Sequence, residues 1–285
     1  EIMNKERIAV LTDSGSDIDN TYADNLFILP LTIQIDEQTF IDGVDITLDQ
    51  VLQKLDTSKI TTSLPNPEVI IETLDKIKLI GYTHVIINTI SSGLSGTYNV
   101  IRILIEEYEG LTIDLIDTKN ISKGSGYTTY KAIELIEEGK SFNQIMKVLE
   151  STLDDQKVFF TIGTVDYLRR GGRIGLVAGT VASILHIKPI ISCNEKGIYY
   201  TVKKTRGYQK AIRKLIELAY EFANEAKKYD ITILVAKVDE KIESFIKEIK
   251  TLFTNKRNFE IRSVTPALAI HIGPESFGIV VRKLL

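Results

Sequence analysis

Short apolar runs alternate with helical stripes along the first half of the chain. Residues 7–12 form an apolar run that ends in the polar turn Thr12-Asp13-Ser14-Gly15-Ser16. Residues 26–35 read as a second strand, and Thr47 is placed to cap a helix running to about Leu55. Asn66-Pro67 marks a clearer helix start, because Asn caps well and Pro suits the first helical position. Val69, Ile70, Leu74, Ile77 and Ile80 give that helix one apolar face, and Gly81 can end it. Residues 84–90 are a continuous apolar run of the kind buried on both faces of a sheet. A helix with Val100, Ile101, Leu104 and Ile105 on one side follows and stops at Gly110. Residues 111–116 read as a strand, then 124–138 and 141–153 as helices. Such alternation predicts a parallel sheet covered by helices.

The second half has a different rhythm. Residues 158–162 read as a strand, and 164–187 as a Gly-rich segment followed by a small-residue helix. Two runs, 189–193 and 198–203, flank Asn194-Glu195-Lys196-Gly197, a four-residue hairpin turn. A long helix covers about 208–228. Residues 231–238 and 259–264 read as strands around a helix at 241–253, and two more strands are expected at about 267–272 and 277–282. Hairpins mixed with crossovers predict a mixed sheet. The expected fold is therefore α/β with two domains: residues 1–157 around a parallel sheet, and residues 158–285 around a mixed one.

A length of 285 residues suits two domains. The formal charge of −3 and the lack of a basic stripe argue against a nucleic-acid partner, which needs clustered Lys and Arg. No apolar stretch reaches the ~20 residues of a membrane span, and the N-terminus shows no secretory apolar region. The lone Cys193 has no internal disulfide partner and reads as a packed strand residue. Together these predict a cytoplasmic protein.

Candidate chemistry begins at Ser91-Ser92-Gly93-Leu94-Ser95-Gly96-Thr97, between a buried strand and a helix. Ligands of open α/β sheets bind beyond the carboxyl ends of the strands. A helix start there offers free N–H groups and the positive dipole end to an anion. The same serines could serve only as helix caps; composition weighs the two readings evenly. Thr61-Thr62-Ser63 forms a second hydroxyl cluster, read as a loop before the helix that Asn66 starts. By itself it could be a turn stiffened by prolines, but two hydroxyl-rich loops could converge on one ligand. A third cluster, Tyr167-Leu168-Arg169-Arg170-Gly171-Gly172-Arg173-Ile174-Gly175, could cradle a phosphate or form a solvated inter-domain turn. It does not fit the dinucleotide fingerprint. Gly139-Lys140-Ser141 resembles the tail of a P-loop, but Glu134 stands where the first Gly is required. The histidines, His84, His186 and His271, are widely spaced and lack Cys companions, so no metal site is expected. His271 precedes Ile272-Gly273-Pro274, a turn that could bring it to a domain cleft.

In this order and spacing, the motifs resemble the DegV family of bacterial fatty-acid-binding proteins over nearly the whole chain. The match runs from Thr12-Asp13-Ser14 through Thr62-Ser63-Leu64-Pro65 and the loop at 91–97. It continues through Leu168-Arg169-Arg170-Gly171-Gly172-Arg173-Ile174 and Arg206 to His271-Ile272-Gly273-Pro274. Leu64 stands where Gln is common in the family. The resemblance implies a fatty acid with its chain buried in the N-terminal domain and its carboxylate held by Thr62 and Ser95. His271, Arg206 and Arg173 are expected at the carboxylate site or at a docking surface. It further implies that the acid is presented to a separate ATP-dependent fatty acid kinase. The acyl phosphate so formed feeds phospholipid synthesis, with an acyltransferase as a further partner. The chain would then be a carrier without a cofactor of its own.

Two enzymatic readings compete. Gly93-Leu94-Ser95-Gly96-Thr97 matches G-x-S-x-G except at its last position, and Ser95, Asp166 and His271 fall in the α/β-hydrolase order. Against this, the strand is expected to end at Ile90, five positions before Ser95. A phosphotransferase using Arg169, Arg170, Arg173 and Arg206 lacks a P-loop.

Overall fold

The computed structural model describes residues 5–181 and 186–285. In the N-terminal half, β1 (Ile8–Asp13), β2 (Leu26–Leu29), β3 (Thr32–Ile35) and β4 (Gln38–Ile41) precede helix α1 (Leu48–Lys54). Next come β5 (Ile60–Ser63), α2 (Pro67–Ile80), β6 (His84–Thr89), α3 (Thr97–Glu106), β7 (Thr112–Asp117), α4 (Lys123–Glu137) and α5 (Phe142–Ser151). The helix signals act as expected. Asn66 accepts from the Glu68 N–H, Pro67 opens α2, and Gly81 ends it with φ 108°. Thr47 starts α1 with a reciprocal capping box to Gln50.

Four strands pair in parallel in the order β2-β1-β6-β7. Strand β1 is buried along its whole length, as its unbroken apolar run requires. Helices α2 and α3 cover one face with Ile70, Leu74, Ile77 and Ile101, while α4 and α5 cover the other. Chain order reverses between β1 and β6. That point is where the loops after two adjacent strands diverge and leave a crevice.

Residues 26–35 are not one strand. Pro30 lacks the N–H that a continuing ladder needs, so the chain breaks into β2 and β3, which lie in different sheets. Strand β3 is the centre of a small antiparallel sheet, β4-β3-β5. The segment at 61–63, expected as a loop, is part of β5, with Thr62 opposite Ile33.

The C-terminal half contains β8 (Gln156–Ile162), α6 (Asp166–Arg170), β9 (Ile187–Cys193), β10 (Tyr199–Arg206) and α7 (Tyr208–Ala223). Then follow β11 (Lys228–Val235), α8 (Glu240–Leu252), β12 (Lys256–Ser263), α9 (Pro266–Ile272) and β13 (Ser276–Leu284). The strands form one mixed sheet, β10-β9-β8-β13-β11-β12, in which only β11 and β12 run parallel. The β9–β10 hairpin closes through Asn194, whose N–H donates to Ile198 O at 2.9 Å. Residues 267–272 are a helix, not a strand. Thr265 accepts from the Leu268 N–H, Pro266 occupies the first turn, and Gly273 ends it. Between α6 and β9, Gly175–Gly179 is a 3-10 turn; the small-residue helix expected beyond it falls partly on 182–185, outside the described residues.

Helices α7 and α8 cover the outer face of the mixed sheet. Its inner face meets the three-stranded sheet, α1, α6, α9 and the loops after β6 and β7 in one shared core containing Ile33, Ile90, Ile121, Phe160, Tyr199 and Leu234. Charge pairs also cross between the halves. Arg262 Nε meets buried Asp17 at 3.0 Å, Lys123 meets Glu260 at 3.2 Å, and Arg282 meets Glu134 at 2.6 Å.

Candidate ligand-binding site

The crevice between β1 and β6 opens into a cavity of about 160 Å³. Gly15, just beyond β1, and Ile90, Leu94 and Ser95, beyond β6, form one side. Thr62 on β5, Arg173 after α6 and His271 on α9 form the other. Ile121, Tyr199 and Leu268 also line a neighbouring, smaller cavity of about 20 Å³, walled by Val158, Phe160, Leu234, Val264 and Ile272. A cavity edged by polar side chains thus lies beside an almost wholly apolar one. Both halves of the chain build them, so the N-terminal domain alone does not enclose them.

The hydroxyls of residues 91–97 have separate tasks. Ser91 Oγ donates to Gly197 O at 2.7 Å and so ties this loop to the β9–β10 turn. Ser92 Oγ donates to Asp117 at 2.5 Å. Ser95 Oγ accepts from the Thr97 N–H at 3.2 Å and shares a 2.8 Å hydrogen bond with the Thr97 hydroxyl. Of the loop's serines, Ser95 is the one on the cavity wall. Ser95 thus bonds to the first residue of α3 and also borders the cavity, whereas Ser91 and Ser92 are committed to the fold.

Thr62 Oγ1 lies 2.8 Å from His271 Nε2, across 209 residues of sequence. The imidazole is half-buried, but its Nδ1 is sealed from solvent and has no partner among the described residues. A Cβ at Gly171 would come within 2.3 Å of Nδ1, so glycine is needed for the ring to pack there. Burial, helped by the nearby Arg173 charge, pushes the His271 pKa down to about 4. The ring is neutral at physiological pH. Its better tautomer carries the proton on Nε2 and donates to Thr62, because an unpaired buried lone pair costs less than an unpaired buried N–H. Arg173 is fixed by two backbone acceptors, Leu94 O at 3.2 Å and Gly171 O at 2.7 Å. Burial also raises the Asp13 carboxyl to about 7, while it accepts the N–H groups of Gly15 and Ile90 behind the cavity wall.

Thr62, Ser95, Arg173 and His271 thus converge; Arg206 does not. It is exposed at the end of β10, opposite Ile187, and does not line the cavity. Arg169 and Arg170 also point elsewhere, to Asp166 and Asp56. The hydrolase alternative fails on geometry. Ser95 bonds to Thr97, His271 bonds to Thr62, and exposed Asp166 pairs with Arg169 at 3.7 Å instead of orienting the histidine. Among the described residues, no cluster of three or more His, Cys, Asp or Glu side chains could hold a metal. Burial pushes the Cys193 thiol up to about 12, so it is inert, as its strand position suggested. A wider groove of about 740 Å³, lined by Lys119, Glu150, Tyr200 and Phe222 among others, contains none of the orphaned buried polar atoms. Its volume alone does not mark a site. Sequence reasoning did not assign Gly15 or Tyr199 to the site, whereas Gly171 fell within the glycine and arginine cluster it singled out.

The fold is that of a two-domain α/β protein, with a cavity between the halves edged by hydroxyl, imidazole and guanidinium groups. The chain belongs to the DegV family: the family's model, described as one of uncharacterised proteins, matches residues 7–284. A DegV domain-containing protein of Clostridium perfringens is 39% identical over 280 residues, 98% of this chain and 99% of the relative. A DegV family protein of Thermus thermophilus, described as binding fatty acid, aligns with TM-score 0.90 at 26% identity, covering 98% of this chain and 100% of that one. A fatty-acid-binding DegV protein of Streptococcus agalactiae aligns with TM-score 0.89 at 29% identity, over 98% and 100% of the two chains. A stearic-acid-binding protein of Eubacterium ventriosum aligns with TM-score 0.84 at 27% identity, over 97% and 98%.

Proposed function

We propose that this chain binds a long-chain fatty acid, with the carboxylate at Thr62 and Ser95 and the acyl chain in the apolar interior. The observation that carries this reading is a polar-edged cavity sharing three wall residues with an apolar one, which together would form the acyl channel, in a fold whose structural neighbours hold fatty acids. A ~16-carbon acid has about 14 methylenes, each contributing ~0.8 kcal/mol on burial, or ~11 kcal/mol gross. Association and ordering costs remove much of that. The smaller cavity is narrow, so loading must part the walls that the two sheets contribute. At the mouth, His271 Nε2–H donates to Thr62, which leaves the Thr62 hydroxyl proton free to point at the carboxylate. With the Thr97 hydroxyl donating to Ser95 in their 2.8 Å bond, the Ser95 proton can do the same. Arg173 supplies a positive charge that favours the ionised acid.

The carrier then presents this carboxylate to a separate ATP-dependent kinase. A carboxylate oxygen attacks the γ-phosphorus of ATP, the bond to the β-phosphate oxygen breaks, and acyl phosphate and ADP form. We place this in the cytoplasm, with the acyl phosphate passing to an acyltransferase of phospholipid synthesis. The half-buried Thr62 and Ser95 support it, because they put the reacting end near the surface. Exposed Arg206 is assigned to the kinase-docking surface. Lipid extraction of the purified protein should give about one fatty acid per chain; an empty protein that takes up no acyl ligand refutes the reading. Ser95→Ala should weaken retention by roughly 1–3 kcal/mol, while Arg206→Ala should keep the lipid and slow kinase-dependent phosphorylation.

A further inference from the structure

The smaller, apolar cavity contains a hydroxyl with no partner among the described residues. Ser276 opens β13 and is 5% exposed, and its Oγ has no hydrogen-bond partner among the described residues. Alternation along the strand fixes its direction. Phe277, Ile279 and Val281 pack into the core beneath α7 and α8, whereas Val280 packs into the core between the halves. Ser276, Gly278 and Val280 therefore face the channel. The wall around Ser276 includes Val158, Phe160, Leu234 and Ile272. Ser122, also on this wall, donates its hydroxyl to Asp17 at 3.2 Å.

An unpaired hydroxyl in such a wall costs stability, and alanine would fill nearly the same space without that cost. A water is a poor substitute. The cavity's volume of about 20 Å³ admits one, but a buried water needs roughly 2–4 polar partners, and the other side-chain hydroxyls on this wall are those of Tyr199 and of Ser122, which is already engaged with Asp17. Resting on the fatty-acid reading above, we infer that the channel is built for an oxygenated acyl chain, a long-chain fatty acid carrying a hydroxyl or keto group that pairs with Ser276 Oγ. The mouth groups fix the carboxyl end and Ser276 fixes the distance to the second oxygen. The site therefore discriminates between positional isomers as well as between plain and oxygenated acids.

The test uses delipidated full-length protein and a competition between stearate and hydroxystearates with the hydroxyl at successive carbons from mid-chain outward. Wild type should prefer one isomer over stearate by about tenfold, the worth of one buried hydrogen bond. Ser276→Ala should abolish or invert that preference while keeping stearate binding, and Ser276→Cys, a weak donor of similar size, should fall between. Equal affinity of wild type for stearate and every isomer overturns the inference and leaves the fatty-acid reading standing. So does an isomer preference that persists in Ser276→Ala. Failure of wild type to bind stearate and all isomers overturns both. Since the wild-type comparison alone can overturn the inference, a poorly folding variant does not protect it.

Discussion

Thr62→Val isolates the hydroxyl at the mouth. Valine keeps the shape and the β-propensity that β5 needs, so the strand pairing with Ile33 should survive. Two hydrogen bonds disappear. One is the proposed bond to the ligand carboxylate; a bond to a charged group contributes ~1.5–3 kcal/mol. Affinity for a long-chain acid should therefore fall by roughly ten- to hundredfold. The other is the 2.8 Å contact with His271 Nε2. Its loss leaves an imidazole with neither nitrogen paired, since Nδ1 already has no partner among the described residues. The ligand-free protein should lose about 1 kcal/mol, or roughly 2–4 °C in Tm. Both effects are read from melting curves with and without saturating stearate, with Kd from displacement of a fluorescent acyl probe. Thr62→Ser, which keeps the hydroxyl, should restore both. An unchanged Kd in Thr62→Val, whatever its Tm, refutes the assignment of Thr62 to the carboxylate.

Acidification tests His271. Its pKa is lowered from the ordinary 6.5 to about 4, so its contribution to stability is complete above 6.5 and is lost as pH falls through 4. Asp13, raised to about 7, acts oppositely and loses its contribution as pH rises from 3.8 through 7. The stability difference between wild type and His271→Gln should therefore shrink on acidification across 6.5 to 4, by up to ~1.4 kcal/mol per pH unit; a pH-independent difference refutes a buried neutral histidine. Gly278→Val puts a Cβ 3.2 Å from Phe159 O and Phe160 Cβ in the inner channel. It should shift preference toward shorter acids by ~0.8 kcal/mol per excluded methylene; an unaltered chain-length profile removes this section from the channel. Arg262→Ala strands buried Asp17 and should cost ~3–5 kcal/mol in urea unfolding. Burial raises the Asp17 pKa, so acidification should lessen that cost as the carboxyl is protonated; loss below 1 kcal/mol would show that the cross-domain charges are not coupled to folding.

The parallel sheet and its helices were legible because their signals are local. Period-3.6 stripes, the Asn66-Pro67 start and the Gly81 stop act within one or two turns of chain. The misread elements were those where two local readings compete. Residues 267–272 are apolar enough for a strand, and what makes them a helix is the Thr265 cap, Pro266 and Gly273 at the ends. Pro30 was the available sign that residues 26–35 could not be one strand. Site residues separated in sequence were harder. Thr62 and Ser95 each read as part of a loop before a helix, and nothing near either one points to His271. The hydrogen bond over 209 residues exists because α9 packs on the small sheet and on α1. The family resemblance gathered these residues in advance; composition and periodicity could not. It also favoured an N-terminal acyl site, while the proposed channel adds Tyr199, Leu234 and Leu268 from the other half.

In the proposed binding mode, charge and neutrality at the mouth have different jobs. Arg173 lines the cavity, but two backbone carbonyls fix its guanidinium. It contributes a positive field without being free to collapse onto a ligand as a flexible Lys would. That field is one cause of the low His271 pKa, so the cation that favours an anionic ligand also keeps the imidazole neutral. A neutral Nε2–H donor is enough to turn the Thr62 proton outward. A second cation would add attraction, but in the proposed kinase reaction it would also draw electron density from the attacking carboxylate oxygen. On this argument one tethered arginine orients and ionises the acid, while two hydroxyls hold it weakly enough to react. Replacing His271 with Lys would add charge and remove the orienting donor. The expected result is equal or tighter retention of the acid with slower kinase-dependent phosphorylation, measured as lipid occupancy against acyl phosphate formed. Unchanged phosphorylation at full occupancy would sink this division of labour.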